Sequence, residues 1–275
     1  LGQQHKLVEQ DLYGMEARAL ARVDPHFAAL PKTLDNHGLN VEHLVALGPQ
    51  CVFVYASDTA DREKLENAGI PVVAIKGETL EESFAAVKLM AQALNCVDKG
   101  QAYIADCRLL LDLVHERLKD IPPEKYRRVL FTGPKSIYTV ATGEMLQSEL
   151  LKRAGAVNVA VSVQGNWADV SPEQVASWNP DVIFLGSKLG TYSVDEIYKN
   201  PHFTSLKAIQ KRRVHVFPSN VGWWDFPAPH CVLGVVWAAK TLYPERFQDV
   251  DMRAIADGFY AKYLGYSFTA LGGRL

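Results

Sequence analysis

The chain is expected to be an α/β protein built as two lobes with parallel sheets joined by a single long α-helix. Three observations point there. Short apolar runs alternate with helical patterns, one helical stretch near the middle runs on without a break, and one segment recurs 131 residues later. A chain of 275 residues also exceeds what a single hydrophobic core usually covers, which agrees with two lobes.

The apolar runs are CVFVY (51–55), PVVAI (71–75), RVLFTG (128–133), DVIFLG (181–186) and RVHVF (213–217). Each is short, continuous and bounded by turn residues, the pattern of a strand buried on both faces of a parallel sheet. Helical patterns fill the intervals at 80–94 and 143–155. From Asp98 to Lys119 apolar residues such as Ile104, Leu111, Val114 and Leu118 recur, and no Gly or Pro intervenes after Gly100. That stretch predicts one helix about 30 Å long, stopped by Pro122 and Pro123. The expected division is an N-terminal lobe over 1–97, a linking helix over 98–120 and a C-terminal lobe over 121–275.

The recurring segment is NVEHLVALGPQCVFV (40–54), which aligns without gaps on SPEQVASWNPDVIFL (171–185). Asn40 and Ser171 are N-cap residues, Pro49 and Pro180 mark the following turn, and Val52 and Ile183 open the strand. Glu42 and Glu173 take the same place in both copies. A first-turn carboxylate gains about 0.3–1 kcal/mol from the helix dipole, which accounts for each glutamate singly. Their equivalence sets one acidic knob on each lobe and suits a two-fold partner with basic pockets.

Composition excludes several classes. With 48% hydrophobic and 22% charged residues the chain folds rather than staying disordered. A net charge of -2 gives no global field for nucleic acid or an anionic membrane. No apolar run approaches the roughly 20 residues of a spanning helix, and the first residues do not show the basic stretch followed by an apolar one that a signal peptide has. The four cysteines, Cys51, Cys96, Cys107 and Cys231, form no C-x-x-C pair and are expected as packed free thiols. Nucleophile-elbow, zinc-protease, phosphate-loop and dinucleotide motifs are absent. TGPKS (132–136) lacks the first glycine of a phosphate loop and is expected to be a strand-to-loop turn, and His215 is expected to be structural. A binding protein with no cofactor and no metal site is therefore preferred over an enzyme.

In open α/β sheets ligands sit beyond the carboxyl ends of the strands. Those ends carry Tyr55, then Lys135, Ser136 and Tyr138, then Lys188, then Trp223 and Trp224, while Trp167 precedes the second capped helix. Each tryptophan can bury about 150–250 Å², so a large flat ligand is one cover and inward packing the other. Lys135, Lys188 and Arg18 are placed to neutralise an anionic chelate.

Taken together, N-V-E-H-L-V-A-L-G-P-Q with its strand, the long helix, V-S-P-E-Q-V-A-S-W-N-P-D-V-I-F-L-G and the closing L-G-V-V-W-A-A-K-T-L-Y-P-E-R-F resemble the cobalamin, siderophore and haem binding proteins of type II ABC importers. These are the helical-backbone metal receptors, or class III periplasmic binding proteins. The resemblance implies two Rossmann-like lobes and a shallow ligand cleft. It also implies salt bridges from Glu42 and Glu173 to arginines of a permease dimer that works with ATPase subunits. By loop position Tyr13, Arg18, Tyr55, Lys135, Ser136, Tyr138, Trp167, Lys188, Trp223 and Trp224 are expected to line the cleft. The ligand implied is an iron-siderophore, haem or corrinoid, captured by a monomer at the periplasmic or outer face of the cytoplasmic membrane. Membrane contact is then made only through the permease or a lipid anchor outside this chain. Relatives carry a strand and helix ahead of the segment resembling LGQQHKLVEQDLYG, so the N-terminal lobe's first strand is expected ahead of residue 1. The alternatives are a chelatase-like or nitrogenase-like α/β enzyme, or a binding protein for a bare metal ion or an oxyanion such as molybdate.

Overall fold

The computed structural model describes residues 1–10, 21–32, 34–35, 38–133, 135–186, 192–218 and 220–275. By compactness the chain divides into unit 1, residues 1–105 with 257–273, and unit 2, residues 106–256 with 274–275. This partition is drawn differently from the division at residues 97 and 120, because it groups 257–273 with unit 1.

Unit 1 carries helix α1 (Pro25–Ala29), the antiparallel strands β1 (Leu34–Asp35) and β2 (Gly38–Leu39), and then α2 (Val41–Leu47), β3 (Val52–Tyr55), α3 (Thr59–Asn67), β4 (Val72–Ile75) and α4 (Leu80–Ala93). β3 and β4 pair in parallel with Val52 opposite Val72 and Tyr55 opposite Ile75. The connection through α3 is the crossover that parallel pairing requires. Leu44, Leu65 and Ile70 are buried together, with Val52, Val54 and Val72 packed against them. The expectation of strands buried on both faces fails here. β3 and β4 are half-buried, with Tyr55 and Ala74 exposed, because among the described residues they form a two-stranded sheet with both edges open.

Helix α5 (Val97–Leu118) holds 22 residues and coincides, within one residue at each end, with the stretch expected to be helical. Tyr103, Ile104, Cys107, Leu111, Val114 and Leu118 are buried along it, the three-and-four spacing of one apolar stripe.

Unit 2 is built on β5 (Arg127–Thr132). The further strands are β6 (Thr139–Val140), β7 (Ala156–Asn158), β8 (Ala168–Asp169), β9 (Val182–Leu185) and β10 (Val214–Val216). β5 lies parallel to β9 on one side and to β7 on the other, β10 extends the sheet beyond β9, and β6 and β8 add an antiparallel flank. Helices α6 (Leu146–Arg153), α7 (Pro172–Trp178), α8 (Val194–Lys199), α9 (Lys207–Gln210), α10 (Cys231–Leu242) and α11 (Met252–Leu264) complete the described α-helices. Here the sequence reading of buried strands holds for β5 and β9, where Leu130, Phe131, Ile183, Phe184 and Leu185 are all fully buried, but not for the edge strand β10, whose Val216 is exposed. Phe217 and Trp237 lie with ring centres 4.8 Å apart, Phe184 and Trp237 5.2 Å, and Phe131 and Phe217 5.3 Å. Each such side chain contributes about 1.5–3 kcal/mol on burial. Cys96, Cys107 and Cys231 are buried free thiols and Cys51 is half-buried; burial pushes the Cys231 thiol up to about 12, so it stays protonated.

The carboxyl end of α5 is fastened by two reciprocal ion pairs. Arg117 donates to both carboxylate oxygens of Asp249 (2.6 and 2.8 Å) and to the Arg246 carbonyl (2.7 Å). Arg246 donates to both oxygens of Asp120 (2.6 and 3.0 Å) and to the Arg117 carbonyl (2.9 Å). Bidentate geometry sets these apart from ordinary surface pairs. The Arg117 side-chain hydrogen bonds hold Asp249 down at about 2, and Arg246 lowers Asp120 in the same way. Depressed carboxylates stabilise the fold above their unfolded value of 3.8, and that contribution is lost as pH falls through the folded value. Asp249→Asn is therefore expected to melt below the wild type at neutral pH and to show a flatter loss of melting temperature between about pH 4 and about pH 2, read by thermal unfolding across that range.

Candidate functional site

The recurring segment folds twice into the same small unit. In α2 the Asn40 side chain accepts from the His43 N–H (2.9 Å) and the helix ends at Gly48 with φ 62°. In α7 the Ser171 hydroxyl accepts from the Gln174 N–H (3.2 Å) and the helix ends at Asn179 with φ 44°. Glycine and asparagine are the residues that tolerate this left-handed turn, and it reverses each helix toward β3 or β9. Position by position the seven residues of the two helices share one burial pattern, with Leu44 and Val175 buried and Glu42 and Glu173 exposed. Each acidic side chain thus stands outward on its own unit. Hydrogen bonds from its own backbone and from the Ser171 side chain, with a smaller contribution from His202, hold Glu173 below the usual carboxylate range.

Beyond the carboxyl end of β5 and Gly133, the described residues from Ser136 to Thr139 form a turn in which the Thr139 N–H donates to the Ser136 carbonyl (3.2 Å); Pro134, within TGPKS, lies outside the described residues. Ser136 Oγ accepts from the N–H groups of Tyr138 (3.1 Å) and Thr139 (3.2 Å), so this hydroxyl shapes the loop. Thr139 donates to Asp169 Oδ1 at 2.6 Å. The Trp167 ring lies half-buried against Gly133, where a Cβ would come 2.5 Å from Cε3; only glycine leaves room for it. Tyr138 Oη accepts from Asn200 Nδ2 (2.9 Å), and its ring meets buried Phe203 edge-on at 5.5 Å. Tyr192 Oη donates to the Gly133 carbonyl (2.6 Å) and lies 2.8 Å from Thr132 Oγ1; burial pushes this phenol up to about 12.

Of these residues Ser136, Tyr138, Tyr192 and Asn200 border an open concavity of about 550 Å³ on unit 2. It brings together Lys135, Ser136 and Tyr138, all expected from the sequence. Tyr192, Lys199 and Asn200 join them and went unnoticed in the sequence. Tyr192 follows β9 closely enough for the strand-end rule to have found it, but Lys199 and Asn200 arrive only through the packing of α8.

The two adjacent tryptophans differ in burial. Trp224 is fully buried and its backbone N–H donates to the Pro218 carbonyl at 3.2 Å. Its assignment as a cleft residue is therefore corrected, because the indole finds its apolar cover inside unit 2. Trp223 is half-buried, its ring 5.2 Å from that of Phe226. Nearby His230 is driven down to about 4 by desolvation and is neutral at physiological pH. Tyr55 stands 39% exposed at the end of β3 in unit 1. Tyr13, Arg18 and Lys188 lie outside the described residues.

The family described as periplasmic binding protein matches residues 1–221. The molybdate-binding protein MolA of Haemophilus influenzae is 29% identical over 270 residues, covering 90% of this chain and 76% of that protein. The solved structure of MolA bound to molybdate superposes with a TM-score of 0.77 at 26% identity, over 97% of this chain and 85% of that one. A vitamin B12-binding protein of Salmonella typhi is 28% identical over 74% of this chain and 72% of its own length. The Fe(3+)-citrate-binding protein YfmC of Bacillus subtilis is 27% identical over 64% of this chain and 56% of its own.

Gly133→Ala is expected to drive the Trp167 ring off the end of β5 and to destabilise the protein by about 1–3 kcal/mol, the usual cost of overpacking. A lowered melting temperature with red-shifted tryptophan emission is the expected readout, and Trp167→Phe in the same background should remove the emission shift.

Proposed function

The chain belongs to the periplasmic binding protein family, and as a solute-binding protein of an ABC transporter we propose that it captures a molybdate-like oxyanion outside the cytoplasmic membrane and presents it to a permease dimer through Glu42 and Glu173. Members of this family bind solutes and are not enzymes, so the chelatase-like and nitrogenase-like readings are set aside. Among the described residues no helix is long and apolar enough to cross a membrane.

The observation that carries docking is the matched pair of outward glutamates on α2 and α7. Salt bridges from two equivalent acidic knobs give register and orientation on a two-fold partner more than raw affinity. Support for an oxyanion comes from the similarity to MolA over nine-tenths of the chain. A ferric chelate is the second reading, favoured by the half-buried rings of Trp167 and Trp223, which offer more flat apolar surface than a four-oxygen anion needs.

The double charge reversal Glu42→Lys with Glu173→Lys is expected to reduce uptake in reconstituted permease vesicles by at least about tenfold, the effect of roughly 1.4 kcal/mol, with ligand affinity unchanged. Lost ligand affinity, or undiminished uptake, would mean that these carboxylates have another role.

A further inference from the structure

Two hydrogen-bonding side chains that line the concavity on unit 2, Tyr138 and Asn200, are held in place by their neighbours. Asn200 is oriented at both ends of its amide, since Oδ1 accepts from the His202 N–H (3.0 Å) and Nδ2 donates to Tyr138 Oη (2.9 Å). Because Tyr138 Oη is the acceptor in that bond, its own O–H proton is left to donate, and among the described residues it has no acceptor. The Tyr138 ring packs edge-on against buried Phe203, a contact that restricts where the hydroxyl can sit. Ser136 Oγ, by contrast, accepts from two N–H groups of its own loop and lies 3.3 Å from Thr139 Oγ1, whose own proton goes to Asp169, and Tyr192 donates to the Gly133 carbonyl. Tyr138, Asn200, Lys135 and Lys199 all line the concavity, the two lysines exposed, and Glu196 is the one carboxylate among the lining residues.

Cations, a phenol and an amide hydrogen complement oxygen lone pairs. A neutral apolar ligand makes no use of such groups, and a bare cation would meet two ammonium groups and a single carboxylate. We propose that Lys135, Tyr138, Lys199 and Asn200 form the recognition wall for an anion that presents several acceptor oxygens, whether a free oxyanion or the carboxylate shell of a ferric chelate. This rests on the reading of the chain as a captor of anionic solutes and adds to it the residues that select the charge. Tyr138 and Asn200 act as fixed donors, so little side-chain freedom is lost on binding. The two lysines supply charge that weakens with salt.

The test is calorimetric titration of sodium molybdate and of ferric citrate into the wild type, Tyr138→Phe and the pair Lys135→Gln with Lys199→Gln. Tyr138→Phe keeps the ring on Phe203, so its melting temperature should stay within about 2 °C of wild type. The expected result is tight wild-type binding of at least one anion, about tenfold weaker in Tyr138→Phe and at least that much weaker in the lysine pair, as for hydrogen bonds to charged groups. Loss confined to molybdate identifies a free oxyanion as the source, and loss confined to ferric citrate identifies a chelate. Wild-type binding that both variants retain in full overturns the wall while leaving the importer reading intact. Wild-type protein that takes up neither anion overturns the anionic-solute reading, and the wall with it.

Discussion

Parallel pairing of β5 with β9, both sunk in the core of unit 2, constrains most of what the surface can do. Two buried strands running the same way must end side by side. Their carboxyl ends therefore deliver Gly133 and Gly186 to one edge, and Gly186 N–H donates to the Thr132 carbonyl there. Tyr192 then laces the far side of the β9 connection to the end of β5. The concavity, the Trp167 shelf and the Ser136 turn all follow from that edge, and apolar burial beneath it keeps the edge in place.

A second constraint is local and used twice. A side-chain cap, seven helical residues, a left-handed turn and a strand need almost nothing from the rest of the fold. The two copies differ at nearly every apolar position, Leu44 against Val175 and Leu47 against Trp178, yet each turns a glutamate outward. Backbone geometry, more than packing detail, explains why the pair survives such divergence in core residues.

The fold was legible where the driving pattern is one-dimensional. Every apolar run expected to be a strand became one, and α5 begins and ends within a residue of expectation, because proline and periodicity are properties of the chain itself. The depth of burial was not legible. CVFVY and DVIFL read alike, but β3 has one strand neighbour among the described residues whereas β9 has two, and the neighbours decide exposure.

The site divides along the same line. From sequence alone came the α/β class, the paired glutamates, the turn beyond Gly133 and the placing of Lys135, Ser136 and Tyr138 beyond a strand, since these depend on local caps and chain order. Only tertiary structure separated Trp223 from Trp224 and set Asn200 against Tyr138. Those outcomes turn on contacts between residues far apart in the chain, where the available hydrogen bonds and the space left by packing, rather than residue type, determine which groups remain to meet a ligand.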